Sequence, residues 1–178
     1  MPSWKSARRS SPAADLQAPS CAAPPRQETR LTKNPQALAE SAAAAMYEAD
    51  TCSRWLGIVV QEVRPGYARL TMPVRPEFLN GHGICHGGLM FTLADSSFAF
   101  ACNSHNINTV AAGCSIEFLK PVHGGDVLTA EAVEQILSGR HGIYDIRVTN
   151  LAGEAVAMFR GKSAQIKGHV VPPDSSST

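Results

Sequence analysis

Residues 86–103 read HGGLMFTLADSSFAFACN, an apolar run in which the only carboxylate is Asp95. No other acidic residue lies between Glu77 and Glu117. A helix that is apolar on nearly every side is a buried helix, and a carboxylate inside it is costly unless it is paired or does chemistry. The run therefore predicts a central helix from about Gly87 to Asn103, with Asp95 as a candidate functional residue.

The start of this helix supplies a second candidate function. The bare backbone amides of Gly87 and Gly88 at a helix N-terminus form a site for negative charge, including the oxyanion that develops in acyl transfer. Gly87 is the candidate oxyanion donor, and Asp95 is the candidate general base or nucleophile. His86 could hydrogen-bond near the carbonyl or orient the loop, and Asn80 could hold a water or the acyl group. The pattern therefore points to hydrolysis of an acyl compound.

The spacing of these groups bears on oligomeric state. Asp95 follows Gly87 by eight residues, which separates their backbones by ~12 Å along a helix. A carbonyl must lie within ~3 Å of its oxyanion donor and also close to the attacking oxygen, so one helix is not expected to provide both groups. Two antiparallel copies would bring Gly87 of one opposite Asp95 of the other, which predicts an obligate dimer. The alternative is a half-exposed polar stripe with no catalytic role, with the glycines serving only close packing.

The order of elements around the central helix indicates the fold class. A helix is predicted at 35–47, two strands at 56–63 and 67–74, a polar loop at 75–85, and four strands after the central helix at 109–119, 127–136, 142–150 and 155–166. Runs of strands interrupted by one apolar helix favour an α+β domain, in which a single antiparallel sheet of about six strands lies against that helix.

Composition restricts the number of domains and the classes of partner to be expected. The chain has 178 residues and a net charge of +1, which suits one domain without the basic surface expected for nucleic-acid binding. Residues 1–33 carry six basic and two acidic side chains with no long apolar segment, so neither a secretory signal nor a membrane span is predicted. We expect a disordered basic extension over 1–34, the domain over 35–168 and a C-terminal tail over 169–178. Five irregularly spaced cysteines favour reduced thiols and a cytoplasmic location.

Other site chemistries fit less well. Cys85 beside His86 could suggest a thiol nucleophile, but neighbouring residues point in different directions. His82 and His86 have i, i+4 spacing, yet the intervening glycines disfavour a helix and no carboxylate completes a metal set. No glycine-rich nucleotide loop is present, so neither a metal nor a cofactor is predicted.

Several motifs together carry a family resemblance. They are NGHGICHGG at 80–88, LADSSFAFACNS at 93–104, FLKP at 118–121, GIYDI at 142–146 and FRGKS at 159–163. These segments closely resemble the PaaI-type hotdog-fold thioesterases over residues 40–167. The first 35 residues have no counterpart in that pattern.

The resemblance implies a hotdog fold, in which a curved antiparallel sheet wraps a long central helix, and a homodimer or a homotetramer built from two dimers. It implies hydrolysis of acyl-coenzyme A, typically phenylacetyl-CoA or ring-hydroxylated phenylacetyl-CoA in phenylacetate catabolism. By motif position Asp95 and Gly87 match the catalytic carboxylate and the oxyanion donor, while Asn80 and His86 match supporting polar residues. No cofactor is implied beyond the coenzyme A of the substrate.

Alternatives remain open for the residues that contact the substrate and for the function itself. Gly88, Arg160 and Lys162 are candidates for binding the substrate or its coenzyme A phosphates, although charges on sheet edges also serve to discourage aggregation. The alternative functions are a hotdog enoyl-CoA hydratase or dehydratase, which also uses a His and a carboxylate, and a non-catalytic acyl-CoA-binding module.

Overall fold

A computed structural model describes residues 34–172. The elements are α1 (Pro35–Ala49), α2 (Thr51–Leu56), β1 (Val59–Arg64), β2 (Tyr67–Pro73), a 3-10 turn (Pro76–Phe78), α3 (Gly87–Asn103), β3 (Thr109–Phe118), β4 (Val127–Ser138), β5 (His141–Thr149) and β6 (Ala155–Gln165). The predicted tail from 173 onward and the predicted extension, except for Asn34, lie outside these residues. Asn34 caps α1, because its Oδ1 accepts a hydrogen bond from the Gln36 N–H (3.1 Å).

One antiparallel sheet contains all six strands in the order β1-β2-β4-β5-β6-β3. Helix α3 contacts every strand, so the sheet curves around it. This is the hotdog fold, and the predicted α+β class, six strands and bounds of the central helix are confirmed.

The inner face of the sheet explains how the helix fits. One cross-strand row runs through Leu70, Ala130, Val148, Ala157 and Phe118. The two alanines in the row are completely buried, and small side chains let a helix approach the sheet closely. Ser97 of α3 is fully buried as well, and its hydroxyl lies 3.2 Å from the carbonyl oxygens of Ala68 and Ala130. This polar contact satisfies a hydroxyl that would otherwise be costly to bury.

The predicted strand at 56–63 is partly wrong, because Leu56 ends the short helix α2 and the strand begins at Val59. Asp50 closes α1 and also caps α2, since its carboxylate accepts the Ser53 N–H (2.9 Å). Gly57, with φ 75°, then ends α2. Asp50 thus ends one helix and starts the next.

Residues 169–172 begin the predicted tail, and part of this segment is bound to the domain. The Val171 N–H donates to Asn106 Oδ1 (2.8 Å), and Nδ1 of His169 lies 2.8 Å from the Asn106 carbonyl oxygen.

In the described part of the chain no helix has the length and apolarity needed to cross a bilayer.

The fit between α3 and β6 gives a stability prediction. A Cβ at Gly161 would lie 2.9 Å from three carbons of the buried Phe98 ring, whereas a Cβ at Gly113 on β3 would meet nothing within 4 Å. We expect Gly161→Ala to lower the free energy of unfolding by about 1–3 kcal/mol because the ring has no room to move. Urea denaturation would measure this.

Gly113→Ala is the matched control, and it should change the free energy of unfolding by less than about 0.5 kcal/mol. Equal destabilisation by the two substitutions would contradict close packing of Phe98 against β6.

Candidate active site

The backbone amides at the N-terminus of α3 differ in their hydrogen-bond partners. His86 is the N-cap residue, and its Nδ1 accepts the Gly88 N–H (3.0 Å). The His86 N–H itself donates to the Phe78 carbonyl (2.8 Å). The Gly87 N–H has no acceptor among residues 34–172. Since the positive end of the helix dipole lies here and the first turn holds no acidic residue, Gly87 can donate to an oxyanion.

A tight loop brings Asn80 to the same place. The Asn80 N–H donates to the Ile84 carbonyl (2.8 Å), and Oδ1 of Asn80 accepts the His82 N–H (2.9 Å). Gly83, with φ 70°, allows the chain to reverse. The side-chain oxygen Oδ1 of Asn80 is thus used within the loop. The side-chain nitrogen Nδ2 is left available to a ligand.

Asn80 and Gly87 border one cavity of about 400 Å³. The other lining residues are mainly apolar and come from the loop, from α3, from the end of β3 and from the segment after it: Ile84, Cys85, Met90, Phe118, Leu119, Lys120, Pro121 and Val122. The structure therefore brings two of the four predicted catalytic residues to one cavity, with His86 capping the helix beside them.

Asp95 lies two helical turns further along α3 on its partly exposed face. Within residues 34–172 its carboxylate has neither a hydrogen-bond donor nor a salt-bridge partner. Burial raises the pKa of Asp95 above its ordinary value, because the ionised form loses solvation without gaining a partner. Perturbed, unpaired carboxylates of this kind are frequent at functional sites.

Strand β3 lies close to Asp95. The Asp95 charge contributes to raising the pKa of the Cys114 thiol, after the larger effect of burial. Residues 110–115 of this strand are exposed, and within the described chain the strand pairs only with β6. The side of α3 that carries Asp95 is therefore bordered by an open sheet edge.

The predicted substrate-binding residues lie apart from this region, except for Gly88. Arg160 and Lys162 alternate with buried residues of β6, so they occupy the sheet face opposite α3. Arg160 forms a two-point salt bridge with Asp145 (2.6 and 2.7 Å), which lowers the pKa of Asp145. The Gly88 N–H is occupied by His86. Phosphate binding by Arg160 and Lys162 stays a prediction.

The aromatic residue that the sequence interpretation missed is Phe118. The phenylalanines of α3 serve packing, since Phe98 and Phe100 are buried in the core and Phe91 packs edge-on against Phe159. Phe118 is 53% exposed, and its ring lies against Gly87. The available signal was its position at a strand end, directly before Leu119-Lys120-Pro121.

The thiol and metal alternatives gain no support. Burial raises the pKa of Cys85 to about 11, the opposite of what a thiolate nucleophile needs. Among residues 34–172 no group of three His, Cys, Asp or Glu side chains could hold a metal ion.

Fold and site together point to one class of protein: a hotdog enzyme whose central helix begins at an amide without an acceptor among residues 34–172 and carries a carboxylate further along. Residues 82–157 match the Thioesterase superfamily. Acyl-coenzyme A thioesterase PaaI of Escherichia coli (strain K12) is 47% identical over 128 residues, which cover 72% of this chain and 91% of that protein. The chain belongs to this superfamily as a PaaI-type thioesterase, which confirms the resemblance seen in its motifs.

Solved structures agree. The Escherichia coli PaaI protein from the phenylacetic acid degradation operon superposes with a TM-score of 0.75 at 45% identity, covering 76% of this chain and 99% of that one. A hypothetical thioesterase of Streptococcus pneumoniae TIGR4, solved with coenzyme A, gives a TM-score of 0.61 at 26% identity, covering 63% and 90%.

The raised pKa of Asp95 predicts a pH-dependent cost in stability. Since the folded protein holds the Asp95 proton more tightly than the unfolded chain does, stability falls as pH rises through the interval between the two pKa values. We expect Asp95→Asn to unfold at a higher urea concentration than wild type at pH 7, with the difference shrinking toward pH 4.

Glu48→Gln removes an exposed carboxylate of α1 and is the matched control, which should change the free energy of unfolding at pH 7 by less than about 0.5 kcal/mol. A wild type more stable than Asp95→Asn at pH 7 would show that the carboxylate has a stabilising partner.

Proposed function

We propose that this protein hydrolyses acyl-coenzyme A thioesters, with phenylacetyl-CoA or its ring-hydroxylated forms as substrates, in the cytoplasm and without a further cofactor. The observation that carries the proposal is the Gly87 N–H at the N-terminus of α3, which has no acceptor among residues 34–172 and lies beside a largely apolar cavity. The printed name of the Escherichia coli relative and the coenzyme A bound to the Streptococcus protein support the substrate class. The operon of the Escherichia coli protein supports the aromatic acyl group.

The two reacting groups are expected to come from two copies of the chain. Eight residues separate Gly87 from Asp95, or ~12 Å along α3, so both cannot reach one carbonyl from the same helix. In a two-fold dimer with antiparallel α3 helices, Gly87 of one copy faces Asp95 of the other and two equivalent sites form. The exposed edge of β3, which is ten residues long, supports such pairing because unpaired strand edges readily add another strand. A homotetramer would join two such dimers.

The chemistry follows from this placement. The Gly87 N–H would donate to the thioester carbonyl oxygen and stabilise the oxyanion, an effect typically worth 10²–10³-fold in rate. The Asp95 carboxylate would either remove a proton from the attacking water or attack the carbonyl carbon itself to give a mixed anhydride that water then opens. In both routes the carbon–sulfur bond breaks, coenzyme A leaves as the thiol and the carboxylic acid is released. The Asn80 amide nitrogen would hold the water or the acyl group, and His86 would keep the helix start in place.

Substitution of Asp95 tests the proposed base. Asp95→Asn keeps the shape of the side chain, so we expect turnover of phenylacetyl-CoA to fall by on the order of 10² or more while the fold is retained. Release of free thiol, followed with a thiol reagent, measures this. Loss of enoyl-CoA absorbance without thiol release from saturated acyl-CoA would instead support the hydratase alternative, and unchanged turnover in Asp95→Asn would refute the role of the carboxylate.

The oxyanion donor can be removed selectively. Gly87→Pro deletes the N–H at the first helical position, where proline is well tolerated, and His86 already has the extended conformation (φ −63°, ψ 128°) that suits a residue before proline. Gly87→Ala is the matched control, because it adds the same Cβ against Phe118 but keeps the N–H. We expect the proline variant to be about 10²-fold slower than the alanine variant.

Mixing the two inactive chains then tests subunit sharing. Mixed dimers of Asp95→Asn and Gly87→Pro contain one intact site, so thiol release should recover to part of the wild-type rate. Exchange of subunits would be verified with chains of different mass. Verified exchange without recovery would contradict the shared site.

A further inference from the structure

The cavity beside Gly87 has two chemically different parts. Its inner wall is formed by the buried side chains of Cys85, Met90 and Val122. Its rim is formed by exposed residues at the end of β3 and directly after it, with Phe118 and Leu119 each 53% exposed. A buried apolar wall behind an exposed rim suits an uncharged hydrocarbon group that enters from solvent.

The charges that line the cavity do not favour binding of a phosphate group. Among the described lining residues Lys120 alone is cationic, and its ammonium is paired with Glu154 at 2.7 Å. A pyrophosphate placed here would meet no free cation. This lining therefore favours the acyl end of the thioester over the coenzyme A phosphates.

Phe118 is in direct contact with the proposed oxyanion donor. A Cβ at Gly87 would lie 2.9–3.3 Å from three carbons of the Phe118 ring, so the ring lies against the glycine backbone. Because Gly87 and Phe118 line the same cavity, a thioester that binds there with its carbonyl at the Gly87 N–H has this ring beside it. Aromatic groups gain affinity from edge-on or offset contact with a second ring, beyond the burial of area.

Met90 sets the depth of the cavity from α3. It follows Gly87 by three residues, so the two lie on the same helix face, and it is buried against the core. With a volume of about 400 Å³ the cavity is at the small end of ligand pockets. An aryl or short acyl group fits beside Phe118, whereas a long chain would have to displace Met90.

We propose that this cavity is the acyl pocket, in which Phe118 selects aromatic acyl groups and Met90 limits acyl length. This inference rests on the proposed thioesterase function and adds the residues that choose the substrate. Both act on specificity and neither takes part in the bond-making steps.

The test compares kcat/KM for phenylacetyl-CoA, butyryl-CoA and decanoyl-CoA. Phe118→Ala should lower the ratio of phenylacetyl to butyryl activity by roughly 3- to 10-fold, and Phe118→Leu, which keeps an apolar side chain but removes the ring, should lower this ratio as well. Met90→Val should raise the activity on decanoyl-CoA relative to butyryl-CoA. Ile136→Ala, which removes another exposed apolar side chain on β4, is the control and should leave all ratios unchanged.

A binding measurement separates this inference from the catalytic proposal. Ligand-observed NMR should detect phenylacetate bound to wild type and to Ile136→Ala, with weaker binding to Phe118→Ala, whether or not thiol is released. Equal binding by Phe118→Ala and wild type, no binding to wild type, or an equal loss of activity on phenylacetyl-CoA and butyryl-CoA would overturn the acyl pocket. Absence of thiol release by wild type from every acyl-CoA, with phenylacetate still bound, would overturn the catalytic proposal alone.

Discussion

Enclosure of α3 by a single curved sheet is the constraint on which the site depends. Because six strands contact the helix, its core-facing sides must be apolar or, like Ser97, fully hydrogen-bonded. Polar chemistry is restricted to the helix start and to the one partly exposed face, and these are where Gly87 and Asp95 lie. The same enclosure fixes the backbone at the helix start, so the Gly87 N–H is held in place before any substrate binds. Such preorganisation is what makes an oxyanion donor effective.

Two polar groups of the site, the Asp95 carboxylate and the Gly87 N–H, lack hydrogen-bond partners within residues 34–172. Asp95 lies in partly desolvated surroundings with no partner among the described residues, and the Gly87 N–H is likewise free. Burial of the ionised Asp95 carboxylate costs folding free energy, and both groups are left available to a substrate. The neighbouring Gly88 N–H shows the contrast, since His86 occupies it.

The sequence predicted the parts of the fold that depend on long, regular patterns. The apolar run of 17 residues gave the bounds of α3, and alternation of apolar residues gave five of the six strands closely. The short helix α2 was missed because six residues are too few to show a helical period and Asp50 ends one helix while capping the next. At the site, Asn80, His86 and Gly87 could be chosen from local sequence, since one loop and one helix start bring them together. Phe118 could not, because its contact with Gly87 arises from sheet register across 31 residues of chain.

The central claim is that one carbonyl is held between the helix start of one copy and the carboxylate of another. The most direct measurement is a crystal structure with a ketone analogue of phenylacetyl-CoA in which a methylene replaces the sulfur. The predicted result is an analogue oxygen about 3 Å from the Gly87 nitrogen, with the nearest Asp95 carboxylate supplied by a second copy of the chain. An analogue carbonyl approached by Gly87 and Asp95 of the same copy, or by neither group, would contradict the account.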